Sequence, residues 1–334
     1  MKHEKISVDR SPAPPAAPPP NGHPPPLRDA KPGLPEPTVT NFEPYNEFDR
    51  KIADFLFDTV VAGPDLGHPS AGGPRAVFEI EAKIGTLVSR DDGGRIALPV
   101  QSETILVPGV STRFESTMSK LQHRDMNRFL NRETQLSQQP PRIPVHYRHS
   151  VEVDTFHPLR PAALDQLPAY ARDLISMRKH APKIRVTRDT KTNQVTAKIV
   201  KARIADLDIF CPGQIFDIRI SVNVEMRYDG PIETLVDGGD PMHVGANGNP
   251  GGQPPRRKDR LSYEHQGVRI DLTQVGDPRD PSCTHELEVE VDAEEVRRQG
   301  LMAQEGVENS FEPLVKRFLD NVRVLVRAGN PPSK

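Results

Sequence analysis

Two segments, far apart in the chain, carry a glutamate at every second position. Glu286, Glu288 and Glu290 alternate with leucine and valine, and Glu79 and Glu81 alternate with phenylalanine and isoleucine. Because a β-strand repeats its side-chain direction every two residues, each segment predicts a strand with its carboxylates on one face and its apolar side chains on the other. If both strands lined one site, their oxygen ligands would suit a hard divalent cation.

Other segments alternate in the same way but carry cations as well as carboxylates. The run at 217–227 gives the strongest period-two signal, and the runs at 183–187 and 268–273 repeat it over shorter lengths. Lys258 and Arg260 lie two residues apart just before the last of these runs. The sequence therefore predicts a set of strands, each with one apolar face and one charged face, and the charged faces carry both signs.

Two architectures satisfy this pattern. The charged faces could lie outside a sandwich whose core is made by the apolar faces, and an isolated Glu-x-Glu is usually such a solvated face. Alternatively, the charged faces could line a closed barrel whose apolar outside is covered by helices. Buried charges are very costly unless they are paired or hold ions. A barrel whose interior is lined with glutamate, lysine and arginine therefore requires ligands that carry both positive and negative charge. A metal cation together with a polyphosphate meets that requirement.

The composition restricts the class of protein. The chain has 334 residues and a formal net charge of −2, with an isoelectric point near 6.6. Any nucleic-acid chemistry must therefore be local to a cationic site. Its two cysteines, Cys211 and Cys283, are too few for a disulfide framework and favour a reducing compartment. We find no apolar run of membrane-spanning length and no secretory signal, so no membrane association is expected.

Proline and glycine divide the chain into domains and loops. Residues 11–37 hold twelve prolines with few aliphatic side chains, which predicts a disordered arm over residues 1–40. Residues 41–334 are then expected to form one folded domain. Within that domain the Gly- and Pro-rich segment 231–256 lies between two predicted strands, which indicates a flexible loop.

Apolar spacing of the helical period predicts the covering helices. The predicted ranges are 46–61, 116–135, 167–179, 294–303 and 310–328. The last range carries a broad apolar stripe over residues 311–326. This stripe has two interpretations, since it could form a dimer surface or pack on the barrel of its own chain.

Taken together, these segments resemble the fungal-type mRNA 5′-triphosphatases, the beta subunits of mRNA-capping enzymes, within the triphosphate tunnel metalloenzymes. The resemblance implies a mainly β (α+β) fold, a closed antiparallel barrel of about eight strands with a charged interior and helices outside. The matching segments are 78–85 (FEIEAKIG), 114–131, 183–189 (KIRVTRD), 198–212, 217–225 (DIRISVNVE), 257–263 (RKDRLSY), 269–275 (RIDLTQV) and 286–291 (ELEVEV).

The resemblance also implies a role for each charged side chain. Glu79, Glu81 and Glu290 match the ligands of a Mg²⁺ or Mn²⁺ ion. The remaining roles are as follows: Arg185, Lys258 and Arg260 as γ-phosphate ligands; Lys201 and Arg269 as further cations of the tunnel wall; Asp271 and Thr273 as partners that orient those cations; Glu286 and Glu288 as partners of basic residues or of a ligated water; and Glu225 as the group nearest the attacking water.

The implied reaction is metal-dependent removal of the γ-phosphate from 5′-triphosphate mRNA, which leaves a diphosphate end for guanylylation. The alternatives are a nucleoside or inorganic triphosphatase of the same fold and an inactive scaffold that binds triphosphate ends. The implied partners are nascent mRNA and either the guanylyltransferase, the alpha subunit of the capping enzyme, or the RNA polymerase II tail. A nuclear homodimer is expected. The chain has no tryptophan, so the Trp-containing peptide by which some members bind guanylyltransferase is absent or altered.

Other groups that could perform chemistry are interpreted as structural. His123, His265 and His285 lack the spacing of a metal site and are predicted to be structural or on the surface. Ser262 and Cys283 lack the arrangement of a base and an orienting group that a nucleophile needs, which disfavours covalent catalysis.

Overall fold

The computed structural model describes residues 38–41, 43–64, 66, 76–159, 164, 167, 169–176, 183–231 and 254–330. The chain divides into two units, 1–45 and 46–334. In the first unit, a turn forms where the Asn41 amide donates to the Thr38 carbonyl oxygen over 2.9 Å. Residues 1–37 of the arm predicted over 1–40 and residues 232–253 of the loop predicted over 231–256 lie outside the described residues. The remaining description concerns the second unit.

The second unit is built on antiparallel strands that close into a barrel. In chain order the strands are β1 (Ala76–Ser89), β2 (Thr104–Ile105), β3 (Thr112–Glu115), β4 (His146–Pro158), β5 (Lys183–Asp189), β6 (Val195–Phe210), β7 (Asp217–Arg227), β8 (Arg256–His265), β9 (Val268–Val275) and β10 (Thr284–Val291). The order around the barrel is β10-β9-β8-β4-β5-β6-β7-β1, and β1 pairs back with β10. The expectation of a closed eight-stranded antiparallel barrel is confirmed.

The two short strands lie beside this ring. β3 extends the sheet from the C-terminal half of β1, where Leu87 is paired with Phe114, and β2 pairs with the end of β6. β6 contains an irregularity between Arg203 and Ala205, where its register with β7 shifts. Such a bulge changes which residues of a strand face the inside, so the charged alternation of β6 continues on shifted positions beyond it.

Helices cover the outside of the barrel. They are α1 (Glu47–Leu56), which continues into a π-helical turn (Phe57–Val61), α2 (Lys120–Ser137), α3 (Ala169–Ser176), α4 (Ala293–Gln304) and α5 (Phe311–Ala328). The residues just before a helix determine where several of these helices begin. The Asn46 side chain accepts the amides of Phe48 and Asp49, and Ser119 forms a reciprocal capping box with Gln122.

The apolar stripe of α5 is buried against its own chain. Eight of its side chains belong to the hydrophobic core: Phe311, Leu314, Val315, Phe318, Leu319, Val322, Leu325 and Val326. Of the two interpretations, packing on the same barrel is therefore correct. The stripe is not an exposed surface for a dimer, because burying it within the chain already removes it from water.

The observed elements differ from the predicted ones in a few places. The β4 strand was not predicted, and it supplies a complete wall of the barrel. β8 begins at Arg256, so the loop predicted over 231–256 ends before that residue. Arg256 lies two residues before Lys258 on the same strand face, and 40% of its side chain is exposed. Among the described helices, none is long and apolar enough to cross a membrane.

Candidate active site in the barrel lumen

The charged faces of the strands point into the barrel. The Asn223 amide of β7 donates to Glu79 over 2.9 Å and to Glu81 over 3.1 Å, while Lys83 of β1 donates to Glu288 of β10 over 2.6 Å. The alternating apolar residues of the same strands, such as Ile80 and Val222, are fully buried in the core outside the ring. The barrel interpretation of the charged strands is therefore the correct one, and the sandwich is excluded.

The three glutamates implied as metal ligands lie next to one another. Glu81 is directly paired with Glu290 across β1 and β10, and Glu79 comes two residues earlier on the same face of β1. Each carboxylate contacts a cation of the wall: Lys201 hydrogen-bonds Glu79 and lies 3.4 Å from Glu81, and Arg269 hydrogen-bonds Glu290. Among the residues that the structure describes, no three side chains are arranged with the donor atoms of a preformed metal centre.

The electrostatics of these glutamates favour a bound cation. Burial raises the pKa of Glu79 and of Glu81, more than the attraction of Lys201 lowers it. Burial, opposed by Arg269, likewise raises the pKa of Glu290 to about 8. Desolvation and crowded like charges thus disfavour the ionised carboxylates. A hard dication offsets both penalties, and an all-oxygen donor set fits Mg²⁺ or Mn²⁺, so the residues present fit the implied metal.

Lys201 links the glutamates of β1 to β7. Burial acts to lower the pKa of Lys201, but the attraction of Glu79, Glu81 and Glu225 outweighs it and raises the pKa. Its amine lies 4.0 Å from Glu225, which in turn lies 3.4 Å from the Arg185 guanidinium. Arg219, on the same strand as Glu225, pairs with Asp208 over 2.6 Å.

The three cations implied as phosphate ligands lie in one region of the wall. The Lys258 side chain is 4% exposed, and its amine lies 3.0 Å from Asp154 and 3.6 Å from Glu152. Burial lowers the pKa of Lys258, and the neighbouring charges of Arg260 and Arg185 lower it further against the opposing attraction of Asp154. These neighbouring cations repel one another, so a bound anion would stabilise their charged forms. A phosphate group is an anion that arginine and lysine side chains bind well.

The remaining residues assigned from the sequence hold these cations in place. Arg260 lies 3.3 Å from Asp271 and its Nε donates to Thr273 over 3.2 Å. Asp271, which is 1% exposed, also lies 3.4 Å from Arg269. These contacts agree with the orienting role expected for Asp271 and Thr273.

The other two glutamates of β10 differ in environment. Burial raises the pKa of Glu288, but the ion pair with Lys83 outweighs it and brings the pKa to about 2. Burial and the charge of Glu288 raise the pKa of Glu286. In this structure Glu288 pairs with a basic residue, Lys83.

Several lumen residues were not identified from the sequence. Lys83 follows Glu79 and Glu81 on β1 at the same two-residue spacing. Ser150, Glu152 and Asp154 repeat this spacing on β4, which was not predicted as a strand. On β6 the bulge hides two further carboxylates, Asp206 and Asp208, because it interrupts the alternation just before them. The Ser221 hydroxyl donates to Asp206 over 2.6 Å.

The predicted structural histidines lie outside the lumen. The rings of His123 and His285 pack edge to face with centroids 4.8 Å apart, between α2 and β10. His265 lies at the end of β8 beside Gln266, which is within 3.2 Å of its Nε2 atom. His265 and His285 lie on the outer faces of their strands, and His123 lies on α2 outside the ring.

The histidine pair predicts a pH-dependent stability. Burial lowers the pKa of His123 to about 4, with His285 adding to the effect, so the folded protein keeps this ring neutral. The unfolded chain binds a proton below about pH 6.5, so the free energy of unfolding falls as the pH drops from about 6.5 towards 4. His123→Gln is expected to show a smaller loss of melting temperature between pH 7 and pH 5 than the wild type.

The matched control for this prediction is His146→Gln, since His146 is exposed at the start of β4. It should keep the wild-type difference in melting temperature between the two pH values. An unchanged pH dependence in His123→Gln would show that this ring is not held neutral by its packing.

Known proteins are similar to this chain over most of its length. The family described as mRNA capping enzyme, beta chain, matches residues 42–330. The mRNA-capping enzyme subunit beta of Schizosaccharomyces pombe is 37% identical over 275 residues, which cover 80% of this chain and 80% of that protein. The subunit beta of Cryptococcus neoformans is 31% identical over 302 residues, covering 87% of this chain and 64% of that protein.

A solved structure shares the fold. The S. pombe RNA triphosphatase Pct1 in complex with the Spt5 CTD matches with a TM-score of 0.69 and 33% identity, covering 88% of this chain and 99% of that chain. A second structure of the S. pombe triphosphatase matches with a TM-score of 0.68 and 34% identity, covering 88% of this chain and 98% of that chain. The similarity therefore extends over nearly the whole barrel and its covering helices.

Proposed function

Because the chain belongs to the mRNA capping enzyme beta chain family, we propose that its charged lumen carries out the metal-dependent first step of mRNA cap formation. Its activity is that of an RNA triphosphatase, a hydrolase that removes the γ-phosphate from a 5′ end. The observation that carries the proposal is one lumen with two charged regions, a carboxylate group around Glu81 and a cation group around Lys258.

The carboxylate region would hold the cation. Glu79, Glu81 and Glu290 would bind Mg²⁺ or Mn²⁺, with Lys201 and Arg269 then released from the carboxylates that they contact here. When bound, the ion supplies a Lewis acid for the γ-phosphate oxygens.

The cation region would hold the phosphates. Arg185, Lys258 and Arg260 would bind the γ-phosphate, and their positions are maintained by Glu225, Asp154 and Asp271 respectively. As charge shifts during hydrolysis, these fixed donors stabilise it without having to reorganise. Glu225 is proposed to orient the attacking water, in addition to its contact with Arg185.

The test is release of inorganic phosphate from γ-labelled 5′-triphosphate RNA, with and without divalent cation. We expect release only with cation, a diphosphate end on the RNA product, and a higher kcat/KM for RNA than for a nucleoside triphosphate. Equal use of nucleoside triphosphate or tripolyphosphate would favour the alternative triphosphatase activities. Binding of triphosphate ends without turnover under any cation would support the inactive scaffold.

The partners proposed are nascent mRNA and another component of the capping or transcription apparatus. The names of the relatives, as capping enzyme subunits, support the guanylyltransferase. The complex of the S. pombe triphosphatase with the Spt5 CTD supports a tail of the transcription apparatus, such as that of RNA polymerase II. Capping of nascent transcripts places the proposed site of action in the nucleus, and fluorescence localisation of the tagged full chain would test this.

The arm and the oligomeric state are proposed from the sequence. The family match begins at residue 42, which supports a catalytic domain over 41–334 and a separate arm over 1–40. The resemblance supports a homodimer. The apolar stripe of α5 does not support it, because that stripe is buried within its own chain. Light scattering and phosphate release, measured on the full chain and on 41–334, test both proposals. We expect a dimeric mass and equal activity for the two chains, and a monomeric mass or a large loss of activity would contradict them.

A further inference from the structure

One mouth of the barrel has a surface that the lumen chemistry does not use. β4 begins and β8 ends at this mouth, because His146 is paired with Glu264. β9 begins and β10 ends there as well, since Val268 is paired with both His265 and Val291. We call residues 142–148 the lip; they comprise the segment before β4 and the first three residues of that strand.

The lip presents an exposed aromatic ring. Tyr147 is 50% exposed, and within the described part of 46–334 it is the one phenylalanine or tyrosine whose side chain is exposed. Its ring is held at 5.4 Å from that of Tyr263, which is buried and hydrogen-bonded to Asn127 and Asn131 of α2. A rigidly backed, exposed ring is a surface on which a flat apolar group can stack at little entropic cost.

Exposed arginines lie on the strand that carries this ring and on α2, the helix that contacts Tyr263. Ser150 and Glu152 belong to the lumen face of β4, so the period of two places Arg148 on that face, at the mouth, where it is exposed. On the outer side, α2 and the lip carry a row of exposed arginines: Arg124, Arg128, Arg132 and Arg142.

The charges of this row do not cancel. Asp125 is shared by Arg124 and Arg128, and Glu133 is shared by Arg132 and Arg142, so two carboxylates face four guanidinium groups. Glu264 of β8 lies instead on the side of Arg269, whose pKa it helps to raise. The surface beside Tyr147 therefore keeps an excess of positive charge.

We propose that the lip binds the single-stranded RNA that follows the 5′-triphosphate, with a base stacked on Tyr147 and backbone phosphates contacted by Arg142 and Arg148. An exposed ring beside a surface with an excess of positive charge is the combination that single-stranded nucleic acid requires, because every base has a flat face and every nucleotide a phosphate. The inference rests on the proposed function, since it places the body of the transcript at the mouth through which its 5′ end enters. It also assigns a direction to the tunnel.

The test compares triphosphate RNA with inorganic tripolyphosphate, a substrate that has no nucleotide chain. For Tyr147→Ala, KM for a 20-nucleotide triphosphate RNA is expected to rise by about tenfold, the effect of removing the stacking of one base. KM for inorganic tripolyphosphate should not change, because that substrate lies wholly within the lumen. Tyr147→Phe keeps the ring and should retain the wild-type KM for RNA.

The arginines are tested by salt. For Arg142→Ala and for Arg148→Ala, the slope of log(kcat/KM) for RNA against log salt concentration should become shallower by about 0.7 for each phosphate that the variant no longer neutralises. The matched control is Arg279→Ala, since Arg279 is 90% exposed in the turn between β9 and β10, at the opposite mouth. That variant should keep the wild-type slope and KM.

Each other outcome overturns the proposal in a recognisable way. If wild-type protein releases no phosphate from RNA with any divalent cation, the proposed function and the lip proposal both fail. If wild-type protein hydrolyses RNA but Tyr147→Ala shows no change in KM, or an equal change for tripolyphosphate, the lip proposal alone fails. An effect of Arg279→Ala would place the RNA at the other mouth. A change of oligomeric mass in Tyr147→Ala, or binding of an acidic peptide in place of RNA, would assign the surface to a protein partner.

Discussion

Alanine at Glu79, Glu81 or Glu290 is expected to lower phosphate release from 5′-triphosphate RNA by at least about a thousandfold at saturating Mg²⁺ or Mn²⁺. Glu81 and Glu290 are paired across β1 and β10, and Glu79 lies two residues from Glu81 on the same face, so each substitution removes one of the three proposed ligands. Melting temperature without metal should stay near the wild-type value or rise, because burial already disfavours these ionised carboxylates.

The control for this prediction is Glu308→Ala, an exposed glutamate in the loop before α5. It should leave both activity and the Mn²⁺ concentration for half-maximal activity unchanged. Near-wild-type phosphate release by all three lumen variants at saturating cation would exclude the metal assignment.

Glutamine at Glu225 is the second substitution with a large expected effect. If Glu225 orients the attacking water and accepts its proton, Glu225→Gln should bind triphosphate RNA normally and hydrolyse it at least about a hundredfold more slowly. The structure also supports a simpler role, because the Glu225 carboxylate lies 3.4 Å from Arg185. In that role a glutamine oxygen still accepts from Arg185, and kcat should change little.

Separate measurement of kcat and KM distinguishes these roles. A loss confined to kcat supports proton transfer, whereas a rise in KM alone supports a contact that positions Arg185. Turnover at the wild-type rate would show that Glu225 is not the base.

Much of the barrel could be predicted from the sequence because its strands have one apolar and one charged face. The run at 217–227 became β7 with the predicted bounds, since a strand packed on one side against helices must alternate. The predicted helix ranges agree with the observed ones to within about four residues. The largest difference at a helix start is in α2, where the Ser119 capping box sets the start at Lys120, four residues inside the predicted range.

The rest depended on pairings that no local pattern contains. β4 begins with four exposed residues, 146–149, and only its middle alternates, so its strand signal is short. The bulge in β6 shifts the parity that would have revealed Asp206 and Asp208. The partners of each charge, such as Glu288 for Lys83, follow from the register between β1 and β10, and closure of the whole barrel sets that register.

The strands that close the barrel are the first and the last of the ring, and they are also the strands that carry the three glutamates around Glu81. Ring closure and assembly of the site are therefore one folding event, which waits until the C-terminal part of the chain has been synthesised. Pairing of strands so distant in sequence is slow, because the intervening chain must first give up conformational entropy before the pairing can stabilise it. A chain truncated before β10 lacks Glu290 and cannot close the ring, and an ion that binds only the closed ring would stabilise the folded state by mass action.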